Sequence, residues 1–237
     1  MSSKIAEIRA QLNKLSEPKK AQVLKSFFKT GSGQYAEGDI FLGVAVPQLR
    51  ELARTYKDIS LQNLLIFFHS PIHEERLLAL LVLVSKYKTA ADKALKRSVY
   101  CLYLKNIKYV NNWDLVDLTA HHIIGDYLFD KDKDTIYKLA GSEVIWQRRI
   151  AIVSTFFYIK KNIFNHTLDV AAMLLYDSAD LIHKAVGWML REVGKRNRSE
   201  EEVFLKKHYK TMPRTMLRYA IERFPEKSRQ AYLKSKV

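Results

Sequence analysis

Apolar positions recur along nearly the whole chain at three- and four-residue spacing, the period of a helix that buries one face. Ile5, Ile8, Leu12 and Leu15 open the series. Ser16-Glu17-Pro18 reads as an N-cap followed by an early-turn proline, and predicts a helix through Phe28. Val46-Pro47 opens another reaching Tyr56, and Ser70-Pro71 one reaching Tyr87. Between them, GSGQYAEGD (residues 31–39) is the most loop-like stretch. No run alternates in the manner of a strand, and no hairpin turn joins two such runs. The predicted fold class is all-α.

A longer period overlies the helical one. EERLLALLVLV, NWDLVDLTA, WQRRIAIVSTFF and IHKAVGWMLREV each set a charged residue ahead of an apolar body. Their markers Arg76, Asp114, Arg149 and Lys184 are separated by 38, 35 and 35 residues. MPRTMLRYAIERF is a fifth, weaker copy. A period of 35 to 40 residues with two helices per unit marks a stacked helical repeat, because one such unit cannot bury its own apolar face. The expected architecture is a curved solenoid of HEAT-like repeats forming a single domain over residues 1–237. The plain alternative is a helix bundle with chance spacing. In the solenoid, the 35-residue step carries Asp117 to Ile152 and then to Gly187, beside Trp188. Asp117, the Arg148/Arg149 turn and Trp188 would then face one concave groove.

Composition narrows the partner. The chain holds 40 Lys/Arg against 25 Asp/Glu, a net charge of +15. From residue 195 onward there are 13 Lys/Arg and 5 Asp/Glu. Such an excess points to a polyanion, because clustered cations gain free energy by displacing counterions from phosphates. A basic but inert surface is the bland alternative. The single cysteine, Cys101, cannot form an intrachain disulfide, which fits a reducing compartment. MSSKIAEIRA lacks an apolar signal core, and the longest apolar run, LLALLVLV, is too short for a bilayer. A soluble, cytoplasmic monomer is expected.

Few residues offer chemistry. In NNWDLVD, Asn112 is a natural N-cap and Asp114 complements the helix dipole. Trp113 and Asp117, four apart, share a helix face. Asp117 is therefore either one more acid of a helix start or a catalytic carboxylate. Arg148 and Arg149 are either a solvated face or a phosphate clamp, and Arg191, three after Trp188, invites the same comparison. Gly187 costs about 1 kcal/mol inside a helix and suits a close backbone approach. The histidines predict no metal site. His69 and His73 are divided by Pro71, and His121 and His122, being adjacent, should point apart on a helix. Both pairs read as ordinary. The glycines of GSGQYAEG lack the spacing and the lysine of a phosphate-binding loop.

FLGVAVPQLR, NNWDLVD, IWQRRIAI and IHKAVGWMLRE, in this order and spacing, resemble the AlkD-like alkylpurine DNA glycosylases, which are built from HEAT-like repeats. The resemblance covers most of the chain. It implies a catalytic aspartate at Asp117 and aromatic groove residues at Trp113 and Trp188. It implies a groove arginine at Arg149, with Arg148 the neighbouring register, and a further backbone contact at Arg191. Lys184 joins these as a cation for phosphates. The implied activity is hydrolysis of the N-glycosidic bond of N3- or N7-alkylated purines in duplex DNA, without metal or cofactor and without a base-reading pocket. Some relatives keep the fold and lack excision, so a non-catalytic module for branched or damaged DNA is the alternative. Residues 31–39 stand as an insertion next to a helix that relatives use on DNA.

Overall fold

A computed structural model describes residues 3–237. It is helical throughout; among the described residues no strand forms, and an isolated parallel bridge joins Ile40 and Ile72. The chain divides into two compact units, one ending at Thr119 and one running Ala120–Val237.

The first unit contains α1 (Ser3–Lys14), α2 (Pro18–Phe27), α3 (Val46–Thr55), α4 (Leu61–Phe68), α5 (His73–Thr89), α6 (Lys93–Lys105) and α7 (Trp113–Asp117). Pro18 starts α2 as expected, although Glu17 rather than Ser16 takes the N-cap position. The helix α5 is the centre of the unit, with α3, α4, α6 and α7 packed on it. Leu77, Leu78, Leu80, Leu83 and Val84 are all buried along it. Each such side chain contributes about 2 kcal/mol of burial. A helix apolar on all sides belongs in a core. Residues 40–44 pass the start of α2 so closely that a Cβ on Gly43 would lie 2.3 Å from the Glu17 carbonyl oxygen. Gly43 also has φ +85°, so only glycine fits there.

The second unit opens with a π-helical turn, His121–Gly125. There follow α8 (Asp134–Ala140), α9 (Ile145–Ser154), α10 (Phe156–Lys160), α11 (Asn165–Met173), α12 (Asp180–Gly194), α13 (Arg198–His208), α14 (Arg214–Ala220) and α15 (Glu226–Leu233). Packing runs from α8 to α9, from α9 and α11 to α12, and from α12 to α13 and α14. This is the stacking of helical pairs that the repeat predicts. The markers Arg76, Asp114, Arg149 and Lys184 all stand in the first two turns of α5, α7, α9 and α12, and the fifth copy forms α14. Among the described residues no helix is long and apolar enough to cross a membrane.

Candidate active site

Asn112 caps α7, its side-chain oxygen accepting from the Trp113 N–H at 2.8 Å. The helix has five residues, of which Asp114, Leu115 and Val116 are buried while Trp113 and Asp117 are half-exposed. The four-residue spacing thus places the ring and the carboxylate on the open side. Beneath them Tyr103 is fully buried, its hydroxyl 3.0 Å from the Thr119 hydroxyl. Burial foremost, with a contribution from the negative charge of Asp117, holds the Tyr103 phenol above its ordinary range. Asp117 therefore lies within electrostatic reach of a group kept neutral.

Trp113 rests on an aromatic platform. Its ring lies nearly parallel to Phe28, with centroids 5.2 Å apart and planes at 13°. Phe27 meets it edge-on at 6.0 Å while remaining 61% exposed. Phe28 in turn stacks on Phe41 at 5.0 Å, and Tyr35 and Ala36 of the 31–39 loop complete the cluster. That loop folds back on the chain just beyond α2, where the Ala36 N–H donates to the Lys29 carbonyl at 3.2 Å.

Behind the platform is a buried ionic network. His73 is 2% exposed, with Nδ1 at 3.0 Å from an Asp39 carboxylate oxygen and Nε2 at 2.8 Å from one of Asp114. Each ring nitrogen faces a carboxylate, so both donate and the ring is an imidazolium. Burial pulls its pKa down, but the two carboxylates outweigh this and hold it up at about 9. Arg76 donates to the other Asp39 oxygen at 2.7 Å and to the Ser70 carbonyl at 2.9 Å. Against the cost of burial, His73 and Arg76 keep the Asp39 carboxyl below its ordinary range. Two anions and two cations balance. The neighbouring acids are also buried: Glu74 accepts the N–H groups of Leu42 and Gly43 at 3.0 and 2.8 Å, and Glu75 takes a two-pronged bond from Arg9 at 2.8 and 3.1 Å.

Arg148, Arg149, Lys184, Trp188 and Arg191 belong to the second unit. Lys184, Trp188 and Arg191 form one half-exposed stripe of α12, at i, i+4 and i+7. Lys184 pairs with Asp180 at 2.7 Å, and Arg191 with Glu222. Trp188 lies 5.8 Å from Phe156, over which Lys160 and Arg196 stand at 4.3 and 6.0 Å. Arg148 and Arg149 are not a solvated face. Arg148 bonds Asp177 at 2.5 Å and the carbonyls of Ser142 and Glu143 at 2.9 and 2.8 Å. Arg149 is 5% exposed and donates to the Leu181 carbonyl at 2.5 Å.

Three expectations change. Asp114 does not serve the helix dipole from solvent; it is buried, accepting the Leu115 N–H at 2.8 Å while it binds His73. His73 is not an ordinary histidine. The rings of His121 and His122 do not point apart: their centroids are 3.8 Å apart. The wider π-helical turn there rotates successive side chains through a smaller angle than an α-helix does. Asp39, His73, Phe27 and Phe28 were absent from the sequence-based candidates. The lysine-flanked pair in KSFFK was the available signal for the phenylalanines. For His73 the partners lie 34 and 41 residues away, and no local pattern marks them. Among the described residues no group of three His, Cys, Asp or Glu is arranged to hold a metal ion.

A family model of DNA alkylation repair enzymes matches residues 8–224. The fold is similar to that of a solved structure described as a predicted DNA alkylation repair enzyme from Enterococcus faecalis, with a TM-score of 0.70 and 15% identity over 89% of this chain and 97% of that one. It is also similar to the crystal structure of AlkD2 from Streptococcus mutans, with a TM-score of 0.55 and 16% identity over 87% of this chain and 97% of that one. At these identities the likeness is one of fold. The search of curated proteins gives no match.

Proposed function

Because the chain belongs to the DNA alkylation repair enzyme family, we propose that it is a DNA glycosylase that removes N3- or N7-alkylated purines from duplex DNA, with Asp117 as its catalytic carboxylate. The observation that carries this reading is the exposure pattern of α7, which leaves Trp113 and Asp117 partly exposed and buries the three residues between them.

The chemistry asks little more of the protein. A purine alkylated at N3 or N7 is already cationic, so it departs with the electron pair of the glycosidic bond and needs no strong general acid. What remains is an oxocarbenium-like sugar. A fixed carboxylate stabilises that charge and orients the water whose oxygen forms the new bond at C1′. The displaced proton passes to the carboxylate or to solvent. The face of Trp113 adds cation–π attraction to the same charge. Lys184, Trp188 and Arg191 on α12, with Lys160 and Arg196 nearby, supply cations and a ring for a sugar-phosphate backbone. The net charge of +15 supplies the long-range attraction.

One observation favours a second reading, a DNA-binding module that does not excise. Arg148 and Arg149, the implied phosphate clamp, are both engaged inside their own unit. Base release from duplex DNA carrying N7-methylguanine or N3-methyladenine separates the two. Asp117→Asn is expected to lower release by about 100-fold or more while duplex affinity is kept. Wild-type protein that binds duplex DNA and releases no base identifies the binding module. Affinity that does not fall steeply with salt argues against both.

A further inference from the structure

We propose that His73 is a positioning residue for Trp113 and Asp117: clamped between Asp39 and Asp114, it fixes α7 in the orientation that keeps those two side chains partly exposed on one face. The inference rests on the glycosylase reading for its kinetic consequence and on the first unit alone for its geometry.

The helix α7 cannot orient itself. Five residues make barely more than one turn, and helices so short are unstable without tertiary anchors. Its cap bond reaches only the adjacent Trp113 N–H. Leu115 and Val116 seat it in the core, and the ionic network adds the directional anchor. Asp114, one residue after Trp113 and three before Asp117, is held by His73 at 2.8 Å. The Asn112 side-chain amide reaches Asp39 at 3.4 Å. Both flanks of Trp113 are therefore tied to the same cluster.

The imidazole ring acts on Trp113 by a second route. It stacks on Phe41 at 4.6 Å and lies 5.0 Å from Phe28, the ring on which Trp113 rests. Displacing His73 would loosen the floor beneath Trp113 and the tether beside it together. A buried ion cluster is poor value for stability, because apolar side chains of similar volume commonly do as well or better. Its use here is directional: each charge-assisted bond has one geometry. The loop 31–39 enters through its last residue. Asp39 turns an apparent insertion into one jaw of the clamp, and the main chain beyond it is pinned to α5 by the His73 N–H donating to the Ile40 carbonyl at 2.8 Å.

The test uses the full chain labelled with 5-fluorotryptophan. It gives three fluorine resonances, and Trp113→Phe assigns one. His73→Gln should shift or broaden the Trp113 resonance and leave those of Trp146 and Trp188 in place. Asp39→Asn should do the same, and carries the test if His73→Gln does not fold. On alkylated duplex DNA, the single-turnover rate constant for base release should fall by about 10- to 100-fold, with affinity within about threefold of wild type. In a background carrying both Trp113→Phe and Asp117→Asn, His73→Gln should cost nothing further, since it acts through those two side chains. A Trp113 resonance unmoved by both substitutions, all three resonances moving together, or an unchanged rate overturns the proposal. Wild-type protein that releases no base, with Trp113 still displaced by His73→Gln, leaves the clamp standing and removes the glycosylase reading.

Discussion

Trp113 lies face to face with Phe28, at a centroid separation of 5.2 Å and an angle of 13°. Phe28 is 6% exposed, so the indole has a rigid floor rather than a mobile neighbour. Phe28→Leu keeps an apolar side chain of similar bulk and removes the flat surface. Its stability cost should stay below about 1.5 kcal/mol, while base release falls by about an order of magnitude. Thermal unfolding and single-turnover release, measured together, check both halves. A large loss of stability with unchanged release would show that the stack serves packing alone.

The His73 proton should appear in the pH dependence of stability. Its pKa rises from an ordinary 6.5 to about 9 in the fold. The stabilisation is therefore complete below pH 6.5 and lost as pH rises through 9. Asp39 runs the other way: its depressed pKa stabilises above the ordinary 3.8 and is lost as pH falls. Asp39 and Asp114 face the two ring nitrogens, Arg76 stands behind Asp39, and Phe28 and Phe41 cover the ring. Unfolding free energies measured between pH 6 and 10 should decline more steeply for wild type than for His73→Gln, by an amount on the order of 3 kcal/mol. Parallel curves would show that the ring does not carry the proton assigned to it.

Glu201 should likewise make stability fall as pH rises, here because burial penalises its charged form. It is 1% exposed, and burial pushes its carboxyl up to about 8. Below pH 4.5 it is protonated folded and unfolded alike, and has no effect. Between 4.5 and 8 the unfolded chain gains charge that the fold resists, so stability drops as pH rises. Glu201→Gln should therefore stabilise the protein, with a gain of several degrees that grows from pH 5 to pH 8. A gain that stays constant across that range would mean that the carboxyl ionises normally.

Gly187 gives a prediction whose sign separates propensity from packing. Alanine is the better helix former by about 1 kcal/mol. Yet a Cβ at this position would lie 2.5 Å from the Met216 carbonyl oxygen and 2.5 Å from the Tyr219 Cβ, both on α14. Backbone atoms do not swing aside, so Gly187→Ala should destabilise by about 2 kcal/mol. Chemical denaturation measures it directly; a stabilised variant would mean that α12 and α14 have slack between them.

Much of the helical order was legible in the chain, and much of the candidate site was not. The apolar period and the prolines at 18 and 47 place α2 and α3 within a residue or two, because those signals are local. The 35-residue step sets Asp114, Arg149 and Lys184 near the starts of α7, α9 and α12, because a repeat places like residues at like positions of its helices. The pairing of Trp113 with Asp117 follows from the i, i+4 rule. The run His73-Glu74-Glu75-Arg76 was opaque. The repeat places charges here ahead of an apolar body, yet all four of these ionisable residues are buried. Their partners Arg9, Asp39, Leu42, Gly43 and Asp114 come from distant segments. Gly187 was read as a place of close approach, and what approaches is α14.

The folded loop at residues 31–39 divides into a tip and two feet. Gly33, at the tip, has φ +73° and open space where a side chain would start, whereas Ala36 and Asp39 are buried. The protein thus carries a natural attachment point that borders the aromatic platform under Trp113 without belonging to its framework. A dye or short epitope grafted between Gly31 and Gln34 should ride on the first unit without disturbing the clamp. Such a probe would sit close enough to Trp113 to report the arrival of a nucleic acid by energy transfer, giving a reagent for following the protein on its substrate.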